Sequence, residues 1–469
     1  MAFLNHAGWV AAPDAQNADL IIVNSCGFIQ SAKQESINAV LGWRKLYPGK
    51  KIILAGCLAQ RYAKELANHL PEADALFGVE DISRIVDVSR DVITAKHENR
   101  EVSGKEFSRR HGGAENTKGR IKIPLSSVSP VNSVISVRGK GRKSSSLNPG
   151  LRPLLSLPGS AYVKISEGCN NRCTFCAIPL IRGHLNCRPV QDIVDECQGL
   201  LARGIRELCI IGQDIGSYRS GGSGLPELLK AIATLEGRFW VRLLYIHPDH
   251  FPLPILDIME KDSRFLPYFD IPFQHASQKI LTAMNRHGSA ESYLSLVETI
   301  RRRLPHAVVR STFLLGFPGE TENDFADLLD FQEKARLDWL GCFAYSREEG
   351  TPAYSMPAQV SPRTAARRKK TIEERQVPIT EKNMARFVGQ NFEALIEEKF
   401  KSEGEKETSS EGEKASETLW LGRLYCHAPE VDGLAVITGS ENLKLGEFAP
   451  CKIIAQRGFD LEGQASTSG

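Results

Sequence analysis

The chain has no run of eighteen uninterrupted apolar residues in its 469, and a helix needs about that many to cross a bilayer. No membrane span is therefore expected. The N-terminus, Met1 to Gln16, also lacks a basic segment followed by a long apolar core, so no secretory signal is expected. A surplus of one charge is missing too. The 59 Lys plus Arg against 56 Asp plus Glu leave a net charge of +3, too near neutral to mark a nucleic-acid binder by charge alone. An even cysteine count is the fourth absence. There are eleven cysteines, and five of them lie in stretches better explained as metal ligands, which argues for the reducing cytoplasm over a disulfide framework. What remains is a soluble globular composition, 42% hydrophobic and 25% charged, in a chain long enough for two to four domains.

The stretch CNNRCTFC carries Cys169, Cys173 and Cys176 at C-x-x-x-C-x-x-C spacing. Three thiolates in one short loop can ligate three irons of a [4Fe–4S] cube and leave the fourth iron open to a substrate. A structural zinc site would want a fourth ligand nearby, but Ala177, Ile178, Pro179 and Leu180 follow.

Upstream, the β-branched runs Asp19–Cys26 and Lys51–Cys57 read as buried parallel strands. Helical stretches follow each, and residues 74–79 suggest a third strand. This alternation predicts an α/β domain with an open parallel sheet over residues 1–98. Cys26 and Cys57 each end a strand, where open α/β sheets line their ligand crevice. They read either as ligands of a second cluster or as buried packing thiols.

Residues 99–157 read as a basic disordered linker, with eleven Lys plus Arg against three Asp plus Glu over 101–158. From 158 to 385, six strand patterns alternate with helices: 162–166, 207–212, 240–247, 268–273, 308–316 and 339–345. That predicts a partial (β/α)6 barrel with its chemistry at the carboxyl ends of the strands. Gly212, Gln213 and Asp214 end the second strand, Gln274 and His275 the fourth, and Gly316, Pro318, Gly319 and Glu320 the fifth. Cys187, Cys197, Cys209 and Cys342 have no paired ligands and read as packing. Residues 386–464 read as a small β-barrel, interrupted at 401–418 by a low-complexity insert that repeats Ser-Glu-Gly-Glu-Lys.

The cysteine spacing, with Phe175 before the last cysteine, resembles the radical S-adenosylmethionine (SAM) superfamily. NSCGFIQSAKQES, AGCLAQRY and CNNRCTFCAIPLIRG together resemble its methylthiotransferase family, and the C-terminal barrel resembles that family's TRAM module. The resemblance implies a SAM-cleaving [4Fe–4S] cluster on Cys169, Cys173 and Cys176, and an auxiliary [4Fe–4S] cluster using Cys26 and Cys57. The family's first strand and a third auxiliary cysteine are expected upstream of Cys26, where this chain has neither. The resemblance also implies SAM contacts from Phe175, Gly212, Gln213, Asp214, Gln274, His275, Arg286, Gly316, Pro318, Gly319 and Glu320, with Arg310 a weaker candidate.

YIHPD, FDIPFQHAS, EEGTPAY and CHAPEVDG resemble the branch that modifies an aspartate of small-subunit ribosomal protein twelve. Residues 381–469 hold ten Lys plus Arg against sixteen Asp plus Glu. On that balance, and on Glu430 and Asp432 sharing one loop, a basic ribosomal protein is expected as partner ahead of tRNA. The tRNA-adenosine branch, a non-catalytic ribosome- or RNA-binding relative, and an enzyme that cleaves SAM without transferring sulfur are the alternatives. The electron donor cannot be named from the sequence.

Overall fold

The computed structural model describes residues 2–12, 14–79, 82–95, 134–138, 156–400, 418–439 and 442–466, with backbone alone at 2, 6 and 134–138. The chain divides into two compact units. The smaller holds the described residues up to 138 together with Ala177–Gly183 and Glu348–Gly350. The larger holds residues 156–176, His184–Arg347 and the remainder from Thr351.

In the smaller unit the strands Leu20–Ser25, Lys51–Gly56 and Ala75–Phe77 pair in parallel. Leu20, Ile21, Ile22 and Val23 are all buried, as are Ile52, Ile53 and Leu54. Such two-faced burial is what a continuous apolar run produces when helices cover both sides of a sheet. The sheet is not parallel throughout. Strand Val134–Arg138 runs antiparallel to Leu20–Ser25 and, on its other edge, antiparallel to Val10–Ala11. Those five residues lie inside the stretch read as linker, so that reading is corrected there. The short β-branched run VISVR was averaged out by its basic, Gly- and Ser-rich surroundings. Most of the rest of that stretch lies outside the described residues.

The larger unit is built on a parallel six-stranded sheet of Ser160–Lys164, Glu207–Ile211, Trp240–Leu243, Phe265–Asp270, Val308–Leu315 and Trp339–Ala344. The strands lie side by side in chain order, as successive βα units require. Local signals fix the helix starts. Ser289 Oγ accepts from Ser292 N at 3.1 Å, and Thr321 Oγ1 and the Asp324 carboxylate cap one another's backbone N–H groups, a capping box opening helix Glu322–Ala335.

The two faces of the sheet have different partners. Val163, Ile210, Val241, Phe269 and Val309 pack with the helices, whereas Cys209, Trp240, Leu244, Leu266, Tyr268, Val308 and Trp339 share an apolar cluster with the C-terminal domain. That domain is a closed five-stranded barrel of Asn391–Phe400, Thr418–Arg423, Ala435–Gly439, Phe448–Arg457 and Asp460–Ala465. The insert read at 401–418 lies outside the described residues except Thr418, which opens the second barrel strand.

Polar contacts reinforce the seam between sheet and barrel. Glu207, fully buried, accepts from Arg242 Nε at 2.7 Å and from Ser160 Oγ at 2.8 Å, and it pairs with Arg423 on the barrel. Arg242 also donates to the Tyr425 carbonyl at 2.8 Å, and Trp339 Nε1 to that of Cys426 at 2.8 Å.

Candidate active site at the strand ends

The loop holding Cys169, Cys173 and Cys176 leaves the first strand of the six-stranded sheet and is tied down on several sides. Asn171 Nδ2 donates to Asp214 Oδ2 at 2.9 Å, Asn285 Nδ2 to the Arg172 carbonyl at 3.0 Å, and Thr174 Oγ1 to the Ala283 carbonyl at 2.8 Å. Its sulfurs face nitrogen donors. Asn171 N lies 3.4 Å from Cys169 Sγ, and both Arg286 Nη1 and His247 Nε2 lie 3.9 Å from Cys173 Sγ. Burial pushes the Cys169 and Cys173 thiols up, and at Cys173 the Arg286 guanidinium opposes it. Among the described residues, no three His, Cys, Asp or Glu side chains are grouped as an ion-holding set. The three cysteines thus share one anchored loop with their sulfurs not drawn to a single point.

Asp214 is the knot that fixes this loop to the second strand. Besides Asn171 it accepts from Gly216 N, Ser217 Oγ, His247 N and His250 Nδ1, at 2.6–3.2 Å. Burial works against its charge, yet these donors hold the carboxyl well below the usual range. Gly212 beside it is pressed on Ser166, whose Oγ would lie 2.6 Å from any added Cβ. Gln213 Oε1 is buried without a hydrogen-bond partner.

At the fourth strand end Gln274 adopts φ +70°, held by bonds from its own N to the Thr312 carbonyl and from Leu314 N to its carbonyl, both 2.8 Å. A left-handed conformation in a non-glycine residue is a local cost that the surrounding ladder must hold in place. His275 follows, fully buried, with Nδ1 accepting from Ser277 N at 3.0 Å. Burial lowers its pKa to about 3, so the ring is neutral and the proton sits on Nε2. That Nε2 has no hydrogen-bond partner, and its nearest carboxylate oxygen, Glu320 Oε2, is 3.9 Å away.

Glu320 closes the turn after the fifth strand. It accepts from Gly316 N and Phe317 N through Oε2, and from Arg368 Nη1 at 2.8 Å through Oε1. Gly316, at φ +76°, lets helix Pro362–Met384 approach, since an added Cβ would lie 2.4 Å from Ala365 Cβ. Pro318 and Gly319 complete the turn, with Gly319 N bonded to the Ala358 carbonyl at 2.9 Å. Phe175 packs with Ile280, Met284, Phe317 and Ala353. Arg286 gives Nη2 to the Pro272 carbonyl at 2.6 Å and leaves Nε unpartnered. The structure therefore brings unpaired, buried polar atoms of Gln213, His275 and Arg286 to the strand ends that also carry the cysteine loop. The carboxylates of Asp214 and Glu320 are spent on local donors. Arg310 is engaged elsewhere, with Asp270 at 3.1 Å and Asp432 at 3.4 Å.

His247 and Asn171 escaped the sequence reading as contacts of the cysteines. YIHPD was noted only as a branch motif, and its histidine reaches Cys173 because the third strand ends beside the loop. Burial, with Arg286 nearby, lowers the His247 pKa to about 4. A second correction concerns the loop read as an acidic docking surface. The side chain of Asp432 is 1% exposed, accepts from Tyr268 Oη at 2.5 Å and Ala428 N at 2.8 Å, and pairs with Arg310. It anchors the loop, so of the two acids only Glu430 is exposed.

In the smaller unit Cys26 and Cys57 follow neighbouring strands whose last residues, Ser25 and Gly56, are paired. Gly27 lies against the Cys57 carbonyl, 2.8 Å from where a Cβ would stand, and Arg182 Nη2 donates to Cys57 Sγ at 3.3 Å. Burial raises the Cys26 thiol, with Cys57 and Arg182 within electrostatic range. Lys33 and Arg61 both pair with Glu348, at 2.6 and 2.7 Å. None of the eleven cysteines is joined in a disulfide, and Cys197, Cys209 and Cys342 pack in the core.

A parallel sheet of six strands with a three-cysteine loop at its carboxyl end, followed by a small barrel, defines a radical SAM enzyme of the TRAM-bearing type. The family models agree: the Radical SAM superfamily matches residues 163–331, the TRAM domain matches 388–465, and Uncharacterized protein family UPF0004 matches 1–78. The ribosomal protein uS12 methylthiotransferase RimO of Treponema denticola is 41% identical over 99% of this chain and 96% of its own length. The RimO proteins of Syntrophomonas wolfei and Carboxydothermus hydrogenoformans are 36% and 35% identical, each over 99% of this chain, covering 95% and 94% of their own lengths. The chain belongs to the RimO family of radical SAM methylthiotransferases, and membership implies a [4Fe–4S] cluster and SAM.

Proposed function

We propose that this chain adds a methylthio group to the β-carbon of an aspartate in ribosomal protein uS12, in the cytoplasm. The observation that carries the reading is the anchored three-cysteine loop beside unpartnered polar atoms. Three soft sulfur donors with no hard ligand among them suit an iron–sulfur cluster, and buried orphan donors and acceptors suit a polar ligand such as SAM. Cys169, Cys173 and Cys176 would hold the cluster, and Gln213, His275 and Arg286 would meet SAM. Cys26 and Cys57 would hold an auxiliary cluster, with a third ligand that this chain does not identify. Bound there, these groups supply one-electron cleavage of a C–S bond, removal of a hydrogen atom from an unactivated carbon, and the sulfur.

The chain's own residues orient and insulate. Arg286 presents a permanent cation toward a ligand carboxylate. Neutral His275 donates its Nε2 proton, and neutral His247 keeps its Nε2 proton against Cys173. Asp214 and Glu320 hold the loops that carry these groups, acting as positioning residues. Gly316 and Gly319 give the turn the backbone freedom that a close approach to an adenine or ribose needs.

Deleting the gene in the host and weighing uS12 and digested tRNA by mass spectrometry tests the reading. Loss of the methylthio group from uS12 with tRNA unchanged is expected, and a Cys173→Ala copy should fail to restore it. Loss from a tRNA adenosine instead would move the chain to the tRNA branch.

A further inference from the structure

The barrel side of the six-stranded sheet carries a feature apart from the cysteine loop and the unpartnered atoms of Gln213, His275 and Arg286. Residues of the third strand alternate between the helix side and the barrel side up to Leu244. Alternation would then send Tyr245 to the helices, but its φ of +67° breaks the pattern. Tyr245 is 46% exposed and stands within electrostatic range of Asp270, Arg310 and Cys209, all of which lie on the barrel side or at its edge. Tyr162, on the first strand, is in turn within range of Tyr245 and of Glu430 from the barrel domain.

Glu430 does not reach this place on a loose loop. Asp432, two residues on, is clamped by Tyr268, Arg310 and Ala428 N. Between clamp and barrel the chain turns through Glu430 at φ +66° and leaves Val431 57% exposed. Two non-glycine residues in the left-handed region, Tyr245 and Glu430, both stand within electrostatic range of Tyr162. Strain of this kind persists only where surrounding contacts over-determine it, and it concentrates at binding sites. The result is two phenol rings with one exposed carboxylate in electrostatic range, carried on a loop whose backbone is held two residues on at Asp432 and whose Val431 is exposed.

We propose that Glu430 on this clamped loop is a specificity residue that reads a cationic side chain adjacent to the modified aspartate, with the neighbouring polypeptide lying across Val431, Tyr162 and Tyr245. The proposal rests on the function proposed above. A target aspartate would itself be repelled by Glu430, so the group that meets Glu430 belongs to a neighbour of the target. Ribosomal proteins are rich in Lys and Arg, which makes such a neighbour common in that substrate class. The tyrosines suit the role as well, since a phenol ring covers a backbone and offers a hydroxyl at little entropic cost.

The test uses three synthetic peptides with a central Asp flanked by Lys, Gln or Glu, titrated calorimetrically into the full-length protein. The wild type is expected to bind the Lys peptide roughly tenfold more tightly than the Glu peptide, the combined size of one exposed attraction and one exposed repulsion. Glu430→Gln should shrink that ratio to about twofold, and Glu430→Lys should invert it. Melting temperatures should stay at the wild-type value, because Glu430 is exposed. An unchanged peptide preference in both variants would overturn the role of the loop, and so would failure of the wild type to bind any of the three. Mass spectrometry of uS12 from cells carrying Glu430→Lys separates the two levels. Reduced methylthio-aspartate with an inverted peptide preference supports the loop. Unmodified uS12 even with the wild-type gene would overturn the proposed function itself.

Discussion

Glu207→Gln is expected to be the costliest single-atom change in the larger unit. The wild-type carboxylate is fully buried and serves two guanidinium groups, Arg242 and Arg423, with a third bond from Ser160. Burial alone would raise its pKa, but the two arginines hold it well below the usual carboxylate range. In the amide variant Arg423 still has Glu397 at 2.7 Å, whereas Arg242, also fully buried, keeps only a carbonyl and the face of Tyr268 at 4.7 Å. Stranding a buried charge costs about 3–5 kcal/mol, equivalent to a fall in melting temperature of roughly 10 °C for a unit of this size. Anaerobic urea unfolding at several pH values measures it. A depressed carboxyl pKa contributes stability that is fully present above the unfolded value of about 4.3 and is lost as pH falls through the folded one. The gap between wild type and variant should therefore be constant from pH 6 to 8 and narrow only below about pH 4. Glu207→Gln combined with Arg242→Met should recover part of the loss, since it removes the stranded charge. A cost under about 1 kcal/mol at pH 7, or a double variant less stable than the single one, would refute the account of the network.

Two further changes probe the site and the barrel. Asp214→Ala removes the acceptor of five donors around the cysteine loop, so the reconstituted protein should retain well under half of the wild-type iron on the three-cysteine loop while its melting temperature falls only a few degrees; iron analysis with circular dichroism checks both. His427 is buried with neither ring nitrogen hydrogen-bonded, and burial lowers its pKa to about 3. The unfolded chain takes up that proton near pH 6.5, so stability drains away as pH falls from about 6.5 toward 3, and His427→Phe should flatten part of that slope in pH-dependent unfolding.

Much of the site could be read in the sequence because it depends on local order. Cys169, Cys173 and Cys176 are close in sequence and their spacing needs no fold to be meaningful. Gln213, His275 and Gly316 lie where strand patterns stop, and a parallel sheet puts all such ends on one edge. What failed to show depended on partners distant in sequence. Asp432 looked like a free surface acid until Tyr268 and Arg310, more than a hundred residues earlier, took it up. Asp214 gathers donors from three separate loops, which its local sequence does not announce. Residues 134–138 were hidden because a five-residue strand has too little hydrophobic content to alter the composition of the stretch around it.

The shared apolar cluster between sheet and barrel also bears on how such a protein can be dissected. Domain deletion is the usual way to ask which module recognises a substrate, and it assumes that each module is stable alone. Here a chain ending before residue 391 would bare Trp240, Leu266, Tyr268 and Trp339 to water and strip Glu207 of Arg423. Loss of substrate binding in that fragment would report a damaged sheet and say nothing about recognition. The barrel in isolation would have the complementary defect, with Leu424, Cys426 and Ala428 uncovered. Recognition in this molecule is open to point substitutions at its exposed loop residues, and the scissors are the wrong instrument.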